Sequence, residues 1–181
     1  MRVGKNLEHL REAGRLGGNK SMDPLMRYTA IIRQLAYFTY LTLDSSHYLS
    51  STGIIPMFGK AKAKEVARWA NRAWLVGISL SLMASAYKLN GLMEKRSHGL
   101  LIRSAEGKVE VRRIGREVKE TRIQVLQDAC DWIIPAYALG IVGQGGKVGR
   151  VGYVVDEGLV GLAGIVSSLV GLRAQWKKTA Q

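Results

Sequence analysis

The residues of this chain best equipped for chemistry stand close together in "QDACDW". Asp128 and Asp131 lie one helical turn apart, and Gln124 and Gln127 continue the same steps of three and four. Paired carboxylates at that spacing suit a cation or a general acid–base couple. Neither use is completed, because no histidine or further acid joins them in sequence and His9, His47 and His98 are scattered. Cys130 has no evident base beside it. The two acids are expected either to be solvated or to pair with a cation such as Arg33 inside a helical bundle. "GQGGKVGRVGY" offers glycines to a phosphate, yet it lacks P-loop spacing, a Lys-Ser/Thr ending and a preceding strand. It is expected to be a linker or a flexible helix start. No catalytic, cofactor-binding or metal-binding residue is assigned, no cofactor is implied, and an enzyme is not expected.

What must position these residues is a helical chain. Its 181 residues make one domain, and its three prolines leave long stretches free to be helical. A lone cysteine excludes an internal disulfide, and the first twenty residues lack the apolar core of a secretory signal. Glu8 and Glu12 argue against a mitochondrial transit peptide, and the Thr-Ala-Gln ending is not a Ser-Lys-Leu matrix address. The composition is 47% hydrophobic with a net charge of +13, which suits apolar parts facing lipid and basic parts facing phosphate. Nucleic acid is not expected as a partner, since the charges are scattered and no zinc, RNA-binding or basic-zipper pattern occurs.

Residues 1–16 are predicted to form a basic amphipathic helix. Val3, Leu7 and Leu10 fall on one line and Arg2, Lys5 and Arg11 flank it. It either lies in a headgroup plane or packs that stripe on its neighbours. Asp23 and Pro24 start a second helix over 23–52. Arg33 sits in its most apolar part, which predicts packing against protein or an interfacial position. A third helix is expected over 58–94, basic at first and then apolar over 73–93, long enough to cross a hydrocarbon core of about 30 Å. Trp69, Trp74, Arg68 and Arg72 stand at one end of that run and Tyr87, Lys88, Lys95 and Arg96 at the other. Its alternative is a buried helix of a bundle. A linker is expected over 95–107, a fourth helix over 108–143 and a fifth over 147–178, the last with a span over 151–172.

Two stripes of small residues stand out. Ala73, Gly77, Ser81 and Ser85 fall every fourth residue, and Gly161, Gly164, Ser168 and Gly171 follow steps of three and four. Each glycine costs a helix in water about 1 kcal/mol, but in lipid the backbone has no water to turn to. Small residues then admit close helix contact, with the other stripe or with a second copy. Arg173, Trp176, Lys177 and Lys178 close the last apolar run as an interfacial anchor. The fold class expected is an all-α, membrane-associated helical bundle with about two spanning helices plus amphipathic helices.

Three segments together carry a resemblance: "RVGKNLEHLREA", "DPLMRYTAIIRQLAYFTYLTLDS" and "VGLAGIVSSLVGLRAQWKK". The chain resembles the fungal branch of the peroxisomal biogenesis factor eleven family, in the same order and over nearly its whole length. The Gly-rich run ending in Leu-Arg-Ala-Gln-Trp-Lys-Lys is the most specific part. The resemblance implies a peroxisomal membrane location and a role in elongation, proliferation and fission through membrane curvature and self-association. It implies a leaflet-inserting helix, matched here by Arg2, Val3, Lys5, Leu7, Leu10 and Arg11. It also implies anionic lipid headgroups, the chain itself, a fission adaptor and a dynamin-like GTPase as partners. Relative to the family pattern the usual N-terminal portion is missing, so this amphipathic helix is expected to bury less apolar area and bind more weakly. The alternative function is an oligomeric channel for small metabolites, for which Ser79, Gln127, Asp128, Asp131 and Asp156 supply the candidate lining.

Overall fold

Asp23 ends one loop and begins a helix by a local device. Its carboxylate accepts a hydrogen bond from the Met26 backbone N–H at 3.2 Å, and Pro24 follows at the first helical position. The computed structural model describes residues 4–55, 58–101, 105–143 and 155–179. They form α1 (Lys5–Gly18), α2 (Pro24–Ser51), α3 (Lys60–Leu101), α4 (Ala105–Ala138) and α5 (Glu157–Thr179), with no strand among the described residues.

Several boundaries differ from the pattern in the sequence, each for a physical reason. The expected linker over 95–107 is largely helix: α3 runs for 42 residues to Leu101, about 63 Å at 1.5 Å per residue. Gly91 and Gly99 do not break it, since an interior glycine only weakens a helix and packing overrides it. That packing comes from Leu89 and Leu92, which meet Ile114 and Val118 of α4. Conversely α4 ends at Ala138 rather than at residue 143. Gly140, with φ +68°, lets its own N–H reach the Tyr137 carbonyl at 2.9 Å and the Ile141 N–H reach that of Ala136 at 2.9 Å. This is the glycine stop that satisfies the last carbonyls. Gly143, at φ +104°, is held to glycine doubly, since a Cβ there would lie 2.7 Å from the Tyr137 ring.

The last helix begins at Glu157. Asp156, expected inside a span, is its cap instead and accepts from the Leu159 N–H at 2.8 Å. Residues 147–154, including Val151 where the span was expected to begin, lie outside the described residues, as does most of the "GQGGKVGRVGY" segment. About two spanning helices were expected. Among the described residues one helix is long and apolar enough to cross a membrane, α5 over Glu157–Ala174. The 73–93 run falls short because Lys88, Asn90 and its serines dilute it, while part of its surface is spent on α2 and α4.

The helices follow one another as an antiparallel row. Close backbone approach joins α1 to α2, α2 to α3, α3 to α4 and α4 to α5, and among the described residues no other pair. The register is read from side-chain partners. Thr42 and Gln34 of α2 meet Asn6 and His9 of α1. Tyr40 stacks on Trp74 with centroids 5.0 Å apart, and Tyr37 faces Gly77. Across the next seam Trp132 meets Ser79 and Asp128 meets Ser81. On the last seam Ile134 faces Gly164 and Gln127 faces Gly171. Such a row has two outer faces. Large apolar side chains therefore stay exposed on all five helices.

Candidate membrane contact and helix packing site

α1 docks on α2 through a face that is not its apolar one. Asn6 Nδ2 donates to Thr42 Oγ1 at 3.4 Å, His9 Nδ1 lies 2.6 Å from Gln34 Oε1, and Ala13 is buried. The His9 ring also sits 5.6 Å from that of Tyr37. Leu7 and Leu10 nevertheless remain 64% and 45% exposed, Leu10 at the edge of the docked face. Lys5 and Arg11 flank them in the open. Of the five helices α1 shows the sharpest separation of apolar from polar residues. Glu12 and Arg15 pair at 2.6 Å on its exposed side, and the guanidinium hydrogen bonds hold the Glu12 carboxyl below its ordinary range. Arg2 and Val3 lie outside the described residues.

The Ala73, Gly77, Ser81 and Ser85 stripe is occupied from within the chain. A Cβ on Gly77 would stand 3.1 Å from Tyr37 Cε1, so Tyr37 of α2 rests on the backbone there. Ala73 lines the groove between α2 and α3, and Ser85 lines a cleft with Arg33, Lys88 and Gln124. Ser81 is buried at the centre of a relay across three helices. Arg33 Nη1 donates to Ser81 Oγ at 3.4 Å, and Ser81 Oγ donates to Asp128 Oδ2 at 2.6 Å. Gln124 Nε2 supplies Asp128 Oδ1 at 2.8 Å. Arg33 and Asp128 therefore meet, with a serine hydroxyl between them rather than as a direct ion pair. Asp131 adds no hydrogen bond to the relay. One turn away, Trp132 Nε1 donates to Ser79 Oγ at 3.2 Å, and Ser79 Oγ donates to the Leu75 carbonyl at 2.8 Å. Among the described residues no buried side-chain nitrogen or oxygen lacks a partner.

The second stripe divides. Gly164 and Gly171 face α4, where a Cβ would lie 3.8 Å from Ile134 Cδ1 and 3.4 Å from Gln127 Nε2 respectively. Gly161 and Ser168 are exposed, and a Cβ on Gly161 would meet nothing. The residues α5 buries most deeply on α4 are Ala163 and Ser167, which sequence reasoning passed over. The signal was present: Ala163, Ser167 and Gly171 also recur every fourth residue. The two stripes are thus not each other's partners, because α2 and α4 take the first and α4 half of the second. The rest of α5, with Leu162, Ile165, Leu169 and Leu172, faces outward, and only 11% of its apolar window is buried. Trp176, 73% exposed, and Arg173 close that face. The side chains of Lys177 and Lys178 are outside those described.

Within one chain most of the residues expected to line a channel are engaged with neighbouring helices. Ser79 and Asp128 are engaged between α3 and α4, Gln127 lies against α5, and Asp156 caps α5.

A family model described as Peroxisomal biogenesis factor 11 (PEX11) matches residues 1–176. Among curated proteins, the chain is similar to "Peroxisomal membrane protein PMP27" of Saccharomyces cerevisiae, 24% identical over 99% of this chain and 74% of that protein. It is also similar to "Peroxisomal biogenesis factor 11" of Schizosaccharomyces pombe, 25% identical over 89% of this chain and 60% of that protein. No solved structure matches it.

Proposed function

The chain belongs to the peroxisomal biogenesis factor 11 family, a peroxisomal membrane protein of peroxisome biogenesis, and from that premise we propose that it elongates the organelle by wedging one leaflet. The observation that carries this is the free stripe on α1. A helix that merely packed its apolar side would have no Leu7 or Leu10 left over, yet α1 is docked through Asn6, His9 and Ala13 and still shows both leucines. An exposed apolar stripe edged by Lys5 and Arg11 suits the boundary between headgroups and acyl chains. Leucine burial there expands one leaflet over the other, and the cations hold anionic headgroups beside it.

α5 supplies the anchor in this account. Its outward leucines contact lipid, and Trp176 and Arg173 sit at headgroup level. Gly161 and Ser168, left open by α4, are where a second copy packs, which gathers wedges into an array. Elongated membrane is then handed to a fission adaptor and a dynamin-like GTPase. Expression in cells lacking their own family member tests this. The chain is expected to restore elongated, dividing peroxisomes, and Leu7→Ser with Leu10→Ser is expected to leave them few, round and enlarged while still targeted. Equal rescue by that variant overturns the wedge.

A further inference from the structure

The first half of α4 separates its charges. Arg112, Arg116, Lys119 and Arg122 recur at steps of three and four, and all are exposed. Glu110, Glu117 and Glu120 follow steps of seven and three on another side of the helix. There Glu110 pairs with Arg113 at 2.6 Å, and Glu120 opens on the cleft that holds Arg33 and Lys88. Among the described residues no ion pair takes any of the four cations on the strip, nor Arg96 of α3 beside it.

These cations edge two adjoining clefts. One lies along Val109, Arg112 and Arg116, and the other between Arg96 of α3 and Arg122, Ile123 and Leu126. Both reach Gly115 and Lys119. Gly115 stands in the interior of a 34-residue helix, where glycine weakens the fold, and a Cβ there would meet nothing within 4 Å. The chain's own packing therefore does not require it. What glycine provides is bare backbone at the point where the clefts join, open to close approach from outside.

The shape and charge of this surface select its occupant. From Val109 to Leu126 the strip runs for about 26 Å, far longer than a single phosphate. Along it the cations hold the middle, while the exposed apolar residues Val109 and Leu126 stand at the ends. A helix lying in a headgroup plane turns an apolar face to the acyl chains. This face is cationic and recessed instead, and a flat bilayer surface does not enter a recess. A second copy of the chain is a poor complement, because 14 acids stand against 27 lysines and arginines. A carboxylate-bearing segment of another protein suits it. Guanidinium groups take carboxylates through paired hydrogen bonds, and a cleft lined by one sign of charge concentrates the other.

We propose that the strip from Val109 to Leu126, with Arg96, docks an acidic amphipathic helix of another protein. Its carboxylates meet Arg112, Arg116, Lys119 and Arg122, and its backbone comes closest at Gly115. Nothing in this depends on leaflet wedging by α1, so either can fail alone. A fluorescein-labelled peptide of about 18 residues, glutamate and leucine at helical spacing, tests it beside a scrambled peptide of the same composition. Each is titrated by anisotropy against the purified full chain in a neutral detergent. The patterned peptide is expected to bind more tightly than the scrambled one by about tenfold or more. Gly115→Phe, which leaves the charge unchanged, and Arg116→Glu with Lys119→Glu are each expected to weaken it by about tenfold or more at matched helical content. Arg68→Glu with Arg72→Glu, the same charge change on α3, is expected to alter it by less than about twofold. Equal binding of both peptides, indifference to Gly115→Phe, or an equal loss from the α3 reversal overturns the proposal. So does displacement of the peptide by a short-chain anionic phospholipid at a lower concentration than by unlabelled peptide, which assigns the strip to headgroups. A photoreactive group in the peptide gives an independent reading: adducts within residues 109–126 support the assignment, and adducts confined to other segments refute it.

Discussion

The two small-residue stripes look alike on paper and behave differently in the molecule. On α3, Gly77 and Ser81 are filled from inside, one by the Tyr37 ring and the other by the Arg33–Asp128 relay. On α5, Gly164 and Gly171 touch α4 while Gly161 and Ser168 face outward. Small residues at steps of three and four state that a neighbour can come close. They do not state which neighbour, because that depends on the side chain opposite. Tyr37 is large, flat and placed by the α2 register, so it decides the first case. Among the described residues α5 packs on α4 alone, so half of its groove remains for lipid or a second copy.

Substitutions can break or sharpen this contrast. The largest effect is expected at Asp128, since Asp128→Ala strands the Ser81 and Gln124 donors and removes the acid that Arg33 reaches through Ser81. Removing one partner of a buried charged network costs about 3–5 kcal/mol. Thermal melting in detergent, followed by circular dichroism, should show the loss, with Asp128→Asn much milder because it keeps an acceptor. A melting point unchanged in Asp128→Ala would mean that the relay contributes nothing. Next comes Gly77→Val, where overpacking against Tyr37 should cost about 1–3 kcal/mol; a matching Tyr37→Leu change should recover part of it, and no recovery would place the strain elsewhere.

The other stripe should respond with the opposite sign. Gly161→Ala meets no atom and removes a poor helix former, worth up to about 1 kcal/mol of added helix stability. The same melting assay, on the monomer in detergent, reads it, and a clear destabilisation there would show that another part of the same chain occupies that position. Smallest in stability is Ser168→Leu, which should leave melting unchanged but lower the yield of cross-linked dimers in liposomes. Undiminished cross-linking would move self-association off this face.

The helices were legible because their punctuation is local. Asp23-Pro24 starts α2 through a side-chain cap, and a glycine turn at Gly53 lies where α2 stops. The α3 extension past residue 94 was not legible, because Leu92 is held by Ile114 and Val118, partners distant in sequence. The meeting of Arg33 with Asp128 was open as one of two outcomes; Ser81 as the hinge between them was invisible, since it had been assigned to a packing stripe. The faces of α1 illustrate the same limit. Periodicity groups Leu7 with Leu10, but it takes the docking of Asn6, His9 and Ala13 of α1 against α2 to show that both leucines stay exposed.

The central claim is that this free stripe bends membrane. The most direct measurement is electron microscopy of anionic liposomes incubated with purified full chain, wild type beside Leu7→Ser with Leu10→Ser, at matched helical content and matched insertion of α5. The account predicts narrow tubules with the wild type and smooth spheres with the variant. Tubules of equal number and width in both would contradict it.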